Sequence, residues 1–305
     1  ALWTEEQAAG WKKVTDAVHA AGGQIFAQLW HCGRIAHSAL HADGSKPAGV
    51  SNRVAADSKT FVILDGQPAM VDTEAPAALT TAEVKDVVQQ FAHSAWLAQK
   101  AGFDGVEIHG AHGYLLCQFL SPEINRRTDG YGGSLDNRAR ILFDIVAGIR
   151  ARCARDFIVG VRLSPERFGL RLAEIREVAA RLLREGEIDF LDLSLWDIFK
   201  EPEEEVFRGR SLLSYFTEID RGAVKVGAAG KIMGGVDARR CLDAGTDFVV
   251  IGRAAVLHHD FPLKVRADPS FNAIAIPVSE DYLRGEGLGP ALIRYMRRWE
   301  GFVEG

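Results

Sequence analysis

Apolar positions along this chain switch between two periods. Ala8, Trp11, Val14 and Val18 recur at helical spacing behind Thr4 and Gln7, a capping-box pair, until Gly22 and Gly23 stop the run. The next stretch, QIFAQLW (24–30), is short and almost wholly apolar, which predicts a strand. Thr80 and Glu83 form a second capping box ahead of Val84, Val87, Val88, Phe91 and Ala95; Gly102 closes that helix, and FDGVEIH (103–109) reads as a strand. The beat then repeats. Ser134 opens a helix to about Arg152 before FIVGVRL (157–163), and a helix over 174–185 precedes IDFLDLS (188–194). A charged stretch, EPEEEVFRGR (201–210), and a short helix lead to AVKVGAA (223–229); helix DARRCLDAG (237–245) leads to DFVVIG (247–252).

Strands apolar on both faces, alternating with helices, predict an α/β fold with a parallel sheet covered by helices. A doubly wound sheet and a (β/α)8 TIM barrel both give this rhythm. Polar residues gather where the strands end (Gln28, His31, His109, Arg162, Ser194, Gly252, Arg253), as a barrel with its site at the carboxyl ends requires. Six of eight barrel strands are represented, read as strands 3–8. The abrupt start, ALWTEEQ without Met, carries the expectation that the first two lie upstream. Residues 1–305 are expected to form a single, N-terminally incomplete barrel domain, with a turn-rich loop insert over about 33–76 and terminal helices over about 279–302.

Composition narrows the function classes. Among 305 residues, 47% are hydrophobic, with 6 Trp and 16 Phe, so a large core is available. The net charge is −5 with Lys and Arg scattered, which gives no footprint for nucleic acid or an anionic membrane. No apolar run approaches the roughly 20 residues that span a bilayer. The four cysteines (Cys32, Cys117, Cys153, Cys241) form no C-x-x-C, so a disulfide framework, a zinc site and an iron–sulfur cluster lack support, and free thiols in a cytoplasmic setting are expected.

Candidate chemistry sits at the strand ends. VVIGRA (249–254) presents Gly252 and Arg253, and AAGKIMGG (228–235) presents Gly230; glycine N–H groups and an arginine at these places suit a phosphate, although a tight turn and a surface charge would look the same. Arg162 stands inside an apolar strand, either ion-paired internally, with Glu107 the obvious partner, or facing an anionic ligand atom. Gln28 is a planar amide that can donate and accept at once. IHGAHGYL (108–115) packs His109, His112 and Tyr114 into one turn. Metal ligation wants a third ligand that the spacing does not offer, and core histidines usually come singly. The remaining reading is a pair of imidazoles that grips an oxygen while Tyr114 supplies a proton.

Taken together, QLWHCGR (28–34), AGFDGVEIHGAHGYLLCQFLSPEINRRTDGYGGSLDNRARI (101–141), VGVRLSP (159–165) and IGRAAVLHHDFP (251–262) resemble the old yellow enzyme family, FMN-dependent ene-reductases and NADH:flavin oxidoreductases on a (β/α)8 barrel. The resemblance runs from about Glu5 to Pro262. It implies bound FMN, with Gln28 at the flavin pyrimidine edge, Arg162 beside its N1, and Gly230, Gly252 and Arg253 at the phosphate. It implies His109 and His112 on the substrate carbonyl oxygen and Tyr114 as proton donor. NADH or NADPH would reduce the flavin, and hydride would pass to an activated alkene of an enone or to a nitro compound. It is compatible with a homo-oligomer. The chain departs from larger relatives in carrying neither the four-cysteine motif nor a C-terminal nucleotide-binding domain, and AAGKIMGG lacks the more usual double glycine. A flavin-free barrel lyase or isomerase acting on a phosphorylated substrate, and a non-catalytic relic, are the competing expectations.

Overall fold

The computed structural model describes residues 2–56, 58–64 and 66–305. Helix α1 (Glu5–Ala20) begins as its capping box requires: the Gln7 N–H donates to Thr4 Oγ1 and the Thr4 N–H donates to the Gln7 side chain, both at 3.2 Å. Strand β1 (Phe26–Leu29) follows. The segment expected to be only turns contains more order than that. It holds short β2 (Ala48–Gly49), an antiparallel pair β3 (Lys59–Leu64) and β4 (Gln67–Asp72), and β5 (Ala77–Ala78) beside β2. Thr60 and Val62 are buried while Phe61 and Ile63 are exposed, a period of two that a buried threonine hides from a reading by hydrophobicity.

The main rhythm continues with α2 (Thr81–Lys100), β6 (Gly105–Gly110), α3 (Leu115–Leu120), α4 (Leu135–Arg152), β7 (Ile158–Leu163), α5 (Leu172–Glu185), β8 (Phe190–Ser194), α6 (Ser214–Thr217), β9 (Lys225–Ala229), α7 (Gly235–Asp243) and β10 (Phe248–Val250). Short helices α8 (Arg253–Leu257), α9 (Phe261–Ala267), α10 (Glu280–Gly285) and α11 (Pro290–Met296) end the chain. Six strands form one wholly parallel sheet in the order β1-β6-β7-β8-β9-β10. Among the described residues the outer sides of β1 and β10 carry no further strand.

The sheet is curled, not flat. Phe26 on β1 and Phe190 on β8 meet edge to face with centroids 5.9 Å apart, although two strands lie between them. At the usual strand spacing a flat sheet would hold them about 14 Å apart. Phe190 also meets Phe248 of β10 at 5.8 Å. Three glycines make room for these rings: a Cβ at Gly105, Gly160 or Gly227 would run into Phe26, Phe190 or Phe248 respectively. Inside the curl, above this aromatic floor, the inward positions further along β1, β6, β7 and β8 are polar: Gln28, Glu107, Arg162 and Asp192, and then His109 and Ser194.

The outward residues are the apolar ones. Val106, Ile108, Val159, Val161, Leu163, Leu191, Leu193 and Val226 are fully buried under α2, α4 and α5. Each such side chain contributes roughly 1.5–3 kcal/mol over an exposed one. A second, smaller apolar cluster joins the tail to α8 through Leu257, Val278, Leu283, Ile293, Met296 and Phe302. His258 fastens the same region: its Nε2 accepts from the Ile274 N–H at 3.0 Å, and the Tyr282 hydroxyl donates to the Leu257 carbonyl at 2.8 Å. No helix among the described residues is long and apolar enough to cross a membrane.

Candidate active site

The loop after β6 sets the geometry. His109 is the last inward residue of the strand, and the chain then turns through His112 (φ 59°) and Gly113 (φ 77°) into α3. Every residue of α3 is buried, so the turn is anchored from below. Gln118, on that helix, ties the turn to the loop after β1: its Nε2 donates to the Gly113 carbonyl at 2.7 Å and to the Cys32 carbonyl at 3.3 Å, and its Oε1 accepts from the Arg34 N–H. The Leu115 N–H donates to the His31 carbonyl. This stitching brings Trp30 flat against Tyr114, with rings 5.5 Å apart and 11° from parallel. The His109 ring lies 5.0 Å from His112 and 5.4 Å from Tyr114, so three residues drawn from one motif share one pocket wall.

Electrostatics keep both imidazoles neutral. Burial, then the neighbouring His112, then the Arg162 guanidinium push His109 down to about 3. Burial and Arg162 push His112 down to about 4. His109 Nδ1 is buried with no hydrogen-bond partner among the described residues. His112 Nε2 lies 2.6 Å from the Ser194 hydroxyl, its backbone N–H donates to Ser164 Oγ at 3.1 Å, and Phe168 meets its ring edge-on. One of the two imidazoles is therefore already engaged by protein. Burial above all, with Cys32 and Tyr295 adding to it, raises the Tyr114 phenol above its ordinary value, so it keeps its proton at neutral pH.

Arg162 corrects one expectation. Its partner is Asp192 on β8, with Nε 3.0 Å from the carboxylate, and not Glu107. Glu107 instead accepts the Gln28 amide. The register explains the choice: Arg162 is paired directly with Asp192, whereas Glu107 is paired with Gln28 on one side and Gly160 on the other. The outer nitrogen of Arg162 has only a long 3.5 Å contact to Ser194.

The ends of β9 and β10 carry the remaining candidate residues. Arg253, first residue of α8, is exposed and makes no hydrogen bond or ion pair among the described residues. A Cβ at Gly252 would meet nothing, so its backbone faces open space. Gly230 differs: its Cα lies so close to the Trp196–Asp197 backbone that a Cβ would come within 2.8 Å of Asp197 N. Its smallness is explained by loop packing, which the sequence could not separate from phosphate binding. An unpaired arginine beside open backbone, an orphaned imidazole nitrogen and a half-buried arginine with a free outer edge suit a ligand that is anionic at one end and hydrogen-bonding at the other. FMN, with a phosphate at one end and a hydrogen-bonding ring at the other, meets these chemical demands.

Four supporting residues were not singled out from sequence: Trp30, Ser164, Phe168 and Asp192. Ser164 and Asp192 stand two residues after and two before recognised positions on inward faces, so the period of two was the available signal. The NRRTDGYGGS string plays a structural part. Asn125 donates to the Phe119 and Tyr131 carbonyls, Arg127 holds Asp129 at 2.5 Å and reaches the Leu79 carbonyl, and buried Arg138 serves the Leu120 and Gly133 carbonyls and Glu174. These residues satisfy a buried loop's backbone.

A curled parallel sheet that gathers two neutral imidazoles, a protonated phenol and an unpaired arginine at its strand ends suits a flavin-dependent barrel oxidoreductase. The chain belongs to the NADH:flavin oxidoreductase / NADH oxidase family, whose model matches residues 1–270; this is the old yellow enzyme family. It is similar to flavin oxidoreductase hxnT of Emericella nidulans, at 32% identity over 87% of this chain and 71% of that protein. It is similar to 12-oxophytodienoate reductase 2 of Arabidopsis thaliana, at 31% identity over 89% and 71%. The structure of morphinone reductase in complex with tetrahydroNAD superposes with a TM-score of 0.79 and 32% identity, covering 93% of this chain and 75% of that one. The fold is thus a TIM barrel, and the chain is an FMN-dependent ene-reductase with a nicotinamide reductant. A flavin-free lyase or isomerase does not accord with this membership.

Proposed function

We propose that this chain reduces the activated C=C bond of α,β-unsaturated carbonyl compounds, and of nitro compounds of similar shape, with NADPH or NADH as electron source. The observation that carries the residue assignment is one constellation: Tyr114, its proton held firmly, beside His109 and His112, both neutral. Bound FMN would supply the hydride. Gln28, Arg162, Gly252 and Arg253 are the residues that would hold it, Arg253 and the Gly252 backbone at its phosphate.

His109 and His112 hold the substrate oxygen through ring N–H groups. Neutral imidazoles serve better than charged ones here: they donate without neutralising charge before the reaction starts, and burial strengthens each bond as charge develops. His112 must share or exchange its Ser194 contact to do so. Tyr114 then delivers its proton to the α-carbon, a transfer that its raised pKa postpones until negative charge is present. Trp30, stacked on Tyr114, fixes the plane of the phenol. Relatives named for 12-oxophytodienoate and morphinone support a flat enone as substrate class. Four unbonded thiols suit a reducing, cytoplasmic setting.

The test is direct. Purified protein loaded with FMN should turn yellow and oxidise NADPH faster once cyclohexenone is added. Phenol, which resembles the oxygen-held product of hydride addition, should bind and perturb the flavin spectrum. Protein that takes up no FMN, as a non-catalytic relic would behave, refutes the proposal.

A further inference from the structure

The polar layer inside the barrel holds more acid than base. Glu107 on β6 and Asp192 on β8 flank the β7 strand that carries Arg162, and Gly160 between them offers no side chain to keep them apart. Asp192 is 1% exposed and the Arg162 side chain 19%. The Glu107 carboxyl lies within hydrogen-bonding reach of Asp192. Yet neither Asp192 oxygen receives a hydrogen bond among the described residues. Arg162 Nε is near enough to pair electrostatically, at 3.0 Å, but its N–H does not point along that line and is itself unsatisfied. The Gln28 amide is spent on Glu107. Two carboxylates in contact, Asp192 shut away from water and Glu107 only partly exposed, are acceptors facing acceptors and charges facing like charge.

We propose that Glu107 and Asp192 hold one proton between them, and that this retained proton leaves the charge of Arg162 available to an anionic ligand atom above it. The proton supplies the missing donor and turns the contact into a charge-assisted O–H···O⁻ bond. The pair then carries a single negative charge, which Arg162 matches. Were the proton lost, the layer would be net negative at the place where the site needs to attract negative charge. Burial pushes the Asp192 carboxyl up, Arg162 pulls it down and Glu107 pushes it up again, for a net rise to about 7. The other groups facing the pair are uncharged: Gln28 on β1, Ser194 on β8, and the neutral His109 and His112 above. Glu107 and Asp192 are thus positioning residues acting through Arg162. Identifying the anion as part of FMN rests on the function proposed above; the shared proton does not.

Infrared difference spectroscopy of the full chain, before FMN is added, tests the proton itself. Wild type at pH 6 should show the C=O stretch of a buried carboxylic acid that fades by pH 8.5. Glu107→Gln and Asp192→Asn should each lack it, because an amide N–H then does the proton's work. Melting gives a second readout. A carboxyl whose folded pKa is raised loses its stabilisation as pH climbs from the unfolded value of about 4 toward 7. Wild type should therefore lose stability relative to Glu107→Gln across that window. In the third arm, the FMN dissociation constant of wild type should rise about tenfold between pH 6 and pH 8, and stay level in Glu107→Gln. Absence of the band in wild type, or its persistence in both variants, overturns the inference, and the wild-type spectrum decides even if a variant does not fold. Protein that shows the band but binds no FMN would refute the flavin reading alone. Yellow, active protein without the band would refute the shared proton alone.

Discussion

At the scale of single residues, the proposed mechanism depends on withholding charge until it is needed. Tyr114 keeps its proton and the two histidines stay neutral because each is desolvated beside Arg162 or a neighbouring ring. Replacing Tyr114 by Phe removes only the proton, since the stack on Trp30 needs the ring and not the hydroxyl. Alkene reduction should fall by about 10²–10⁴-fold while flavin reduction by NADPH is nearly unchanged, a split that stopped-flow measurement of the two half-reactions would resolve. Equal losses in both would assign Tyr114 a binding role instead. His109 makes a pH prediction of definite sign. Unfolded, it takes up a proton below about pH 6.5; folded, it does so only near 3, so its contribution to stability is lost as pH falls between those values. The stability of His109→Asn relative to wild type should rise by about 2 kcal/mol between pH 7.5 and pH 5, measured by urea denaturation.

At the scale of elements, the strand ends carry the strain. All the described non-glycine residues with positive φ (His112, Arg167, Phe168, Trp196, Lys231) lie in loops after β6, β7, β8 and β9. Such conformations cost of order 1 kcal/mol or more and persist only where their surroundings hold them. The opposite end is packed by fit: a glycine faces a phenylalanine on three strands. Gly160→Val would force Phe190 out of its place between Phe26 and Phe248 and should destabilise the protein by roughly 1–3 kcal/mol or more, seen as a lower melting midpoint. Most of this level was legible in advance. Capping boxes at Thr4 and Thr80 and the cap at Ser134 mark helix starts that the structure reproduces, and the six main strands fall within two residues of their expected limits. The antiparallel ribbon of β3 and β4 was not legible, because its short alternation is only half apolar.

At the scale of the whole molecule, ligand and fold share one free energy. A ligand that binds only the folded barrel stabilises it, by about 2.7 kcal/mol at a hundredfold excess over Kd. FMN should raise the melting midpoint more than riboflavin does, and, with the phosphate placed at Arg253 as proposed, Arg253→Ala should erase most of the difference. An unchanged difference would move the phosphate away from Arg253. The tail forms its own apolar cluster around Phe302, which is 1% exposed. Phe302→Ala should cost about 3–5 kcal/mol locally and loosen the tail, detectable as faster amide exchange over 278–303, while the exchange of β6 and β7 stays slow.

What the sequence determined by itself was the alternation of elements, their caps, and the cast of residues at the strand ends, because period and capping chemistry are local properties of the chain. The motif IHGAHGYL likewise fixed which side chains share the pocket wall, since they lie within one turn of backbone. Tertiary structure alone decided who meets whom across strands. Arg162 answers to Asp192 and not Glu107 because register, set by the whole sheet, puts residues 30 apart in sequence side by side. The curl that brings Phe26 to Phe190, and the burial that pushes Glu107 and Asp192 together, arise from long-range packing and have no signature in any single stretch of the chain.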